Sequence, residues 1–209
     1  MSVLTGLRVV QLGDGLAAAV CGRLFADAGA SVGTIGAASG TPLETYLNHG
    51  KGPGTIADAD LIVAEGGPAA LRARGYHEAA LRQATPDAAI VLISPYGQVG
   101  PQADAPATDL TMICASGIAR LLTGQVDDLG EPPIRPVGHQ SAFLVGLAAA
   151  CAGMQAVQAD AVNDAFTLRR AFEAHAELGQ YRGRGARVLI LERAANMRTP
   201  VGGGRSHQR

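Results

Sequence analysis

Apolar residues along this chain fall into short β-branched runs separated by longer Ala- and Leu-rich stretches, so the spacing switches repeatedly between a period near 2 and one near 3.6. The first run, Leu7 to Leu12 (LRVVQL), ends at Gly13, and Leu16 to Ala28 then reads as an Ala-rich helix closed by Gly29. Ser31 to Ile35 (SVGTI) is a second strand. Strand, helix and strand within about thirty residues make a βαβ unit, and the right-handed crossover rule sets its strands parallel. Gly36 to Ala57 is rich in Gly, Thr, Ser and Pro without periodicity, and is expected to be loop. Asp60 to Ala64 (DLIVA) is a third strand, Pro68 to Arg74 and His77 to Gln83 are helical pieces broken at Gly75, and Ala89 to Ile93 is a fourth strand.

The stretch Ile90 to Gly124 repeats the transition at greater length: an apolar strand, a Gly/Pro/Gln loop, and a helical segment with apolar residues at Leu110, Ile113, Ile118 and Leu121. In open α/β folds such loops are where ligands sit. A surface turn held by Gly97, Gly100 and Pro101 is the plainer alternative. A Pro-rich connection from Asp127 to Gly138 leads to Ser141–Ala159, almost wholly apolar and expected to be a helix buried on most sides. Asn163 to Leu178 reads as a helix with Arg169, Arg170, Glu173 and Glu177 on one face, and Arg187 to Leu191 as a last strand. Thr199 to Arg209, Gly-rich and basic, is expected to be a disordered tail. Residues 1–198 are thus expected to be one α/β domain, a Rossmann-like parallel sheet with helices on both faces.

Composition narrows the partners. At 209 residues the chain can bury a sizeable core. With 4% aromatics and no Trp, that core must be built from Ala, Val, Leu and Ile. A net charge of −1 without a long basic block excludes an electrostatic footprint for nucleic acid. Cys21, Cys114 and Cys151 are an odd, widely spaced set that fits reduced thiols in the cytoplasm. No clustered His/Cys pattern offers a metal site. The N-terminus lacks a signal peptide's basic start and cleavage site. The apolar stretch Ala142 to Ala152 is too short to span a bilayer, so no membrane role is expected.

Candidate chemistry is sparse. Gly13, Gly15 and Ala18 match the GxGxxA pattern that brings a helix N-terminus to a dinucleotide pyrophosphate. That fingerprint also needs an acid after the second strand, where Gly36-Ala37-Ala38 stands instead, so a plain tight turn competes with NAD or FAD binding. Asp14, Asp109, His139 and Ser141 are the polar residues near strand or helix ends, with no GxSxG or HExxH pattern around them. A lone His139 reads first as a structural histidine. Asp109, one turn into a helix, is favoured there by the helix dipole without catalytic duty.

Several stretches together carry a family likeness: Leu4 to Val32, Ala59 to Tyr76, Pro86 to Leu110, Ala115 to Gly124, Glu131 to Gly138 and Gly183 to Ala194. The most specific is the loop Ser94-Pro95-Tyr96-Gly97-Gln98-Val99-Gly100-Pro101. In these the chain resembles the family III CoA-transferases, the group of formyl-CoA transferase, carnitine CoA-transferase and α-methylacyl-CoA racemase. The resemblance implies a truncated large domain of that family, without its small domain and returning C-terminal segment. It implies coenzyme A or acyl-CoA as ligand and no metal, with Gly13, Gly15, Arg72, Arg74, Tyr96, Gly97 and Gln98 as candidate contacts; for the two arginines an exposed helical role is the alternative. The family nucleophile is an Asp four residues before the Gly-Leu of the long apolar helix, and counting back from Gly146-Leu147 places Ala142 there. Ser141, His139 and Asp109 are the weaker candidates, and the His that precedes the Asp in the racemase branch is Thr108 here. The expectation is therefore a degenerate, non-catalytic relative or a partner-dependent subunit, as a homo-dimer or a hetero-dimer with a CoA-transferase homologue. The alternatives are an active acyl-CoA transferase or racemase using other residues, and a nucleotide-binding or regulatory Rossmann module.

Overall fold

The computed structural model describes residues 2–36, 40–123, 128, 130, 132, 136–162 and 187–191. The expected helix Asn163 to Leu178, the boundary at residue 198 and the tail from Thr199 lie outside them, as does most of the Asp127 to Gly138 connection.

The strands are β1 (Arg8–Leu12), β2 (Ser31–Ile35), β3 (Gly52–Pro53), β4 (Leu61–Glu65), β5 (Ala89–Ser94) and β6 (Arg187–Leu191), in the spatial order β3-β2-β1-β4-β5-β6. The first five are parallel, and β6 closes the edge antiparallel to β5. The chain winds outward from β1 to β3, then returns to the other side of β1, so connections diverge between β1 and β4. In an open α/β sheet that divergence leaves a crevice beyond the C-terminal strand ends.

The strands read as continuous apolar runs because both sheet faces are covered. Leu61 and Val63 of β4, with Val91 and Ile93 of β5, join Val9 and Val32 against helices α1 (Leu16–Asp27) and α7 (Gln140–Val162). The alternate residues Ile62, Ala64, Ile90 and Leu92 face the other way, with Leu71 and Leu81 from α3 (Pro68–Ala73) and α4 (Glu78–Ala84). Helices therefore lie on both faces, as the pattern predicts.

Three expectations need correction. Gly36 to Ala57 is not all loop: it holds α2 (Pro42–Asn48) and the short edge strand β3. Thr41 caps α2 in a reciprocal capping box with Glu44, and Pro42 sits in its first turn. Local capping thus makes a helix where apolar periodicity is too weak to announce one. Second, the segment after the Ile90 loop is two helices, α5 (Asp109–Ala115) and α6 (Ile118–Thr123), separated at Gly117 with φ +80°. Asp109 accordingly stands at the first position of α5 rather than one turn in.

Third, α7 is not buried on most sides. It runs 23 residues, and 19 of them, Gln140–Gln158, are long and apolar enough to cross a bilayer by length and composition. The expectation from the shorter Ala142 to Ala152 stretch understated it. One side, carrying Gly146, Ala149, Gly153 and Ala156, is buried, while Phe143, Leu144, Leu147 and Met154 are exposed. Small residues set the packing distance: a Cβ on Gly146 would stand 2.6 Å from Val20 Cβ of α1, and one on Gly153 would stand 2.9 Å from Leu61 Cδ2. An apolar run here reflects close approach on one face and not burial all round.

Candidate functional site

Two cavities open at the C-terminal edge of the sheet. The first, about 210 Å³, lies among the ends of β4 and β5 and the N-termini of α1, α5 and α7. The second, about 300 Å³, lies at the ends of β1 and β2 beneath α2. His139, just before α7, borders both.

The N-terminus of α1 is engaged by a side chain of the protein itself. Its amides face Glu65, the last residue of β4: the Ala18 N–H donates to Glu65 Oε2 at 2.8 Å, and the Ala17 amide bonds the same carboxyl. A carboxyl from the neighbouring strand thus stands where a pyrophosphate would be received. Gly15 is needed for that contact, since a Cβ there would fall 2.5 Å from Glu65 Cβ. Burial pushes the Glu65 carboxyl up from its ordinary range, against the two amides that favour its charged form. Gly13 turns the chain after β1 at φ +85°, and its N–H closes onto Ile35 O at 2.7 Å.

Asp109 and Ser141 are brought together. Asp109 Oδ1 accepts both the Ser141 N–H at 2.8 Å and the Ser141 Oγ–H at 2.6 Å. The first residue of α5 thereby satisfies an open amide at the start of α7, a cap supplied from another helix. Both residues line the first cavity, as does Ala142. A carboxylate is a poor base for an aliphatic hydroxyl, and the Ser141 hydroxyl bonds Asp109 directly rather than through an imidazole.

Of the remaining candidates, Arg72, Tyr96, Gly97 and Gln98 are not among the residues lining either cavity. Gln98 Nε2 donates to Gly66 O at 3.0 Å and ties its loop to the end of β4, with Gly97 turning at φ +87° beside Tyr96. Ser94 and Pro95, which open that loop, line the first cavity. Arg74 pairs with Asp14 at 3.6 Å and lies beside Gly13, both of them lining residues of the second cavity, while Arg72 pairs with Asp104 at 4.0 Å; both pairs are half-exposed. Among the described residues no group of three or more His, Cys, Asp or Glu side chains gathers as a metal site would require.

Three residues of this region escaped the sequence reading. Glu65 ends a buried strand, and an acid directly after LIVA was its available signal. Ser94 begins the family-like loop, and it is the start of that loop rather than its tip that borders the first cavity. Lys51 is the chain's single lysine. Its Nζ donates to Gln11 Oε1 at 2.7 Å, Ala19 O at 2.8 Å and Asn48 Oδ1 at 3.4 Å, and all three acceptors belong to residues of the second cavity's wall.

Comparison with known proteins agrees with this architecture. The family model for CoA-transferase family III matches residues 55–165, more than half of the chain. The chain belongs to CoA-transferase family III. The cinnamoyl-CoA:phenyllactate CoA-transferase of Clostridium sporogenes is 28% identical over 149 residues, a match covering 56% of this chain and 36% of that enzyme. Among solved structures, a hypothetical protein from Mycobacterium tuberculosis superposes with a TM-score of 0.62 at 24% identity, covering 77% of this chain and 51% of its own. A CAIB/BAIF family protein from Brucella suis gives 0.55 at 19% identity, over 78% and 50% of the two chains. The chain spans about half the length of these structures and about a third of the curated relative.

Proposed function

We propose that this chain takes part in family III CoA transfer, the movement of CoA between an acyl-CoA donor and a carboxylic acid, together with a second polypeptide and not alone. The observation that carries the reading is the bond between Asp109 and Ser141: one carboxylate oxygen is engaged by both the hydroxyl and the amide that begin α7. A carboxylate held as a helix cap is a poor nucleophile, and Ala142 beside it has no group to acylate. The Clostridium sporogenes relative, by its name a transferase between two acids as CoA thioesters, supports the substrate class. The exposed Phe143, Leu144, Leu147 and Met154 on α7 support a second chain, a further copy or a CoA-transferase homologue. Free thiols at Cys21, Cys114 and Cys151 support work in the reducing cytoplasm.

The test is CoA exchange between acyl-CoA thioesters and carboxylates, followed by mass spectrometry on the purified chain. No exchange is expected from the chain alone. Exchange that is lost in Asp109→Asn or Ser141→Ala overturns the proposal. A second reading, an active enzyme using other residues, is favoured by the position of His139 at the mouth of both cavities. It predicts exchange by the chain alone that His139→Ala abolishes.

A further inference from the structure

β5 hands over to α5 through the loop of residues 95–107, and both ends of that loop stand at the first cavity, which Pro95, Ala107 and Thr108 help to line. Compact surface loops with neighbouring ends are units in their own right. This one carries its own turns, with the Ala103 N–H bonded to Gly100 O at 3.2 Å and the Ala105 N–H to Gln102 O at 3.0 Å. Its ends are fixed, by β5 before it and by the reciprocal cap of Thr108 and Thr111 after it. Between them it is seated on the β4–α3 turn. There Gln98 Nε2 donates to Gly66 O at 3.0 Å, the Ala69 N–H donates to Asp104 Oδ1 at 2.7 Å, and Arg72 stands 4.0 Å from Asp104 Oδ2. Gly67 permits the close approach, since a Cβ there would fall 2.9 Å from Asp104 Oδ1.

The seat is thin, and it encloses a group that gains by leaving it. Val99 is 85% exposed and Asp104 about half exposed, while the buried members of the loop are Gly97 and Ala103, which have little side chain to bury. Ser94, from which the loop departs, follows Ile90 and Leu92 onto the α3/α4 face of the sheet. The Gly66 N–H bonds Ile93 O at 2.9 Å, which sets Gly66 beside Ser94 and puts the hydroxyl where the loop is seated. Ser94 is 1% exposed, and its Oγ has no hydrogen-bond partner. A buried hydroxyl without a partner has lost its hydration for nothing, so it destabilises the state that encloses it.

We propose that residues 95–107 form a strap that lifts off the β4–α3 turn as one body, with Gln98 and Asp104 as its latch, admitting water to Ser94 and moving part of the first cavity's wall. Closed, the strap keeps its bonds to Gly66 and Ala69 and leaves Ser94 unpartnered. Open, it loses those bonds and the hydroxyl is hydrated. Latch and hydroxyl therefore oppose each other, and the balance between the two forms is close. Access to the cavity between Pro95 and Ala107 is set by the seating of this loop, whatever chemistry the cavity serves.

The test is thiol labelling of the full chain carrying Ser94→Cys, with N-ethylmaleimide as the probe and peptide mass spectrometry to separate position 94 from the native cysteines. Cys21, buried in the core on α1, is the reference for opening of the core itself. The thiol at position 94 is expected to label at least about a hundredfold faster than Cys21. Asp104→Ala, added to it, is expected to raise that rate about tenfold, the effect of one lost hydrogen bond to a charged group, and Gln98→Ala to raise it by a smaller factor. Labelling no faster than that of Cys21, or a rate unmoved by Asp104→Ala, overturns the proposal. Because sulfur is larger than the hydroxyl oxygen, amide exchange read by NMR supplies a second measurement without it. The Ala69 N–H, bonded to Asp104, is expected to exchange faster than that of Val63 in the centre of the sheet, and Ser94→Ala to slow it about tenfold by removing the unpartnered group. Exchange at Ala69 no faster than at Val63, or not slowed by Ser94→Ala, overturns the proposal equally.

Discussion

Lys51 shows how one side chain can tie the second cavity together and make stability depend on pH. Gln11 lies on the α1/α7 side of β1, 2% exposed, and an amide buried there needs a partner. Lys51 supplies it, and bonds Ala19 and Asn48 as well, joining β1, α1 and α2. Burial pushes the Lys51 ammonium down to about 8. The unfolded lysine titrates near 10.4, so between these values the unfolded chain binds the extra proton and stability rises with pH. Cys21, on the buried face of α1, acts in the opposite sense: burial pushes its thiol up to about 12. The unfolded thiol titrates near 8.5, so above that pH the folded state binds the extra proton and stability falls. Urea unfolding at pH 7.5, 9 and 10.5 separates the two. Cys21→Ala is expected to gain stability steadily from pH 8 to about 10.4, and Lys51→Met to lose stability steadily above about 8.5. Parallel pH profiles for the two variants would show that neither group is buried as described. Neither residue was legible as a site beforehand, because a single Lys in a Gly-rich stretch and a Cys in an Ala-rich helix carry no periodic signal. Their role exists only once α1, α2 and β1 meet.

At the scale of elements, what the chain announces depends on where the information is stored. The buried strands β4 and β5 are plain in the sequence, since LIVA and AIVLIS are apolar on both faces. Helix α2 is stored in the four residues Thr41-Pro42-Leu43-Glu44, which a search for apolar spacing passes over. The exposed side of α7 is hidden for the opposite reason: Phe143, Leu144, Leu147 and Met154 are as apolar as the side that packs. What distinguishes the packing side is size, with Gly146 and Gly153 against α1 and β4. A Val at Gly146 would drive its Cβ to 2.7 Å from Ala17 O and into Val20, where the backbone of α1 cannot yield. Gly146→Val is therefore expected to destabilise by about 1–3 kcal/mol or more, whereas Leu147→Gln, on a side chain 52% exposed, stays within about 0.5 kcal/mol. Denaturant midpoints of the two variants measure the contrast. Equal losses would mean that α7 presents a different face to the sheet.

For the whole molecule, strand order and site composition give different answers to the question of which nucleotide binds. The order β3-β2-β1-β4-β5 is that of a dinucleotide fold, and Gly13, Gly15 and Ala18 sit where its phosphate loop belongs. Reading either feature by itself leads to NAD. The crevice, however, is bridged by Glu65 from β4 to the amides of α1, so the positive end of that helix is already matched by the protein's own carboxyl. A pyrophosphate arriving there would have to displace Glu65 and then lie beside it. The larger of the two cavities lies under α2, with Lys51 bonded into the back of its wall. The family assignment makes coenzyme A the ligand to try. Thermal unfolding with each nucleotide at the same millimolar concentration distinguishes the two, because a ligand specific for the folded state and present at a hundred times its dissociation constant adds about 2.7 kcal/mol. For a domain of this size that is a rise of about 5–10 °C. Coenzyme A is expected to raise the melting temperature, and NAD and FAD at millimolar concentration to leave it unchanged. A rise with NAD would show that Glu65 gives way to phosphate, and would return the chain to the nucleotide-binding modules its strand order resembles.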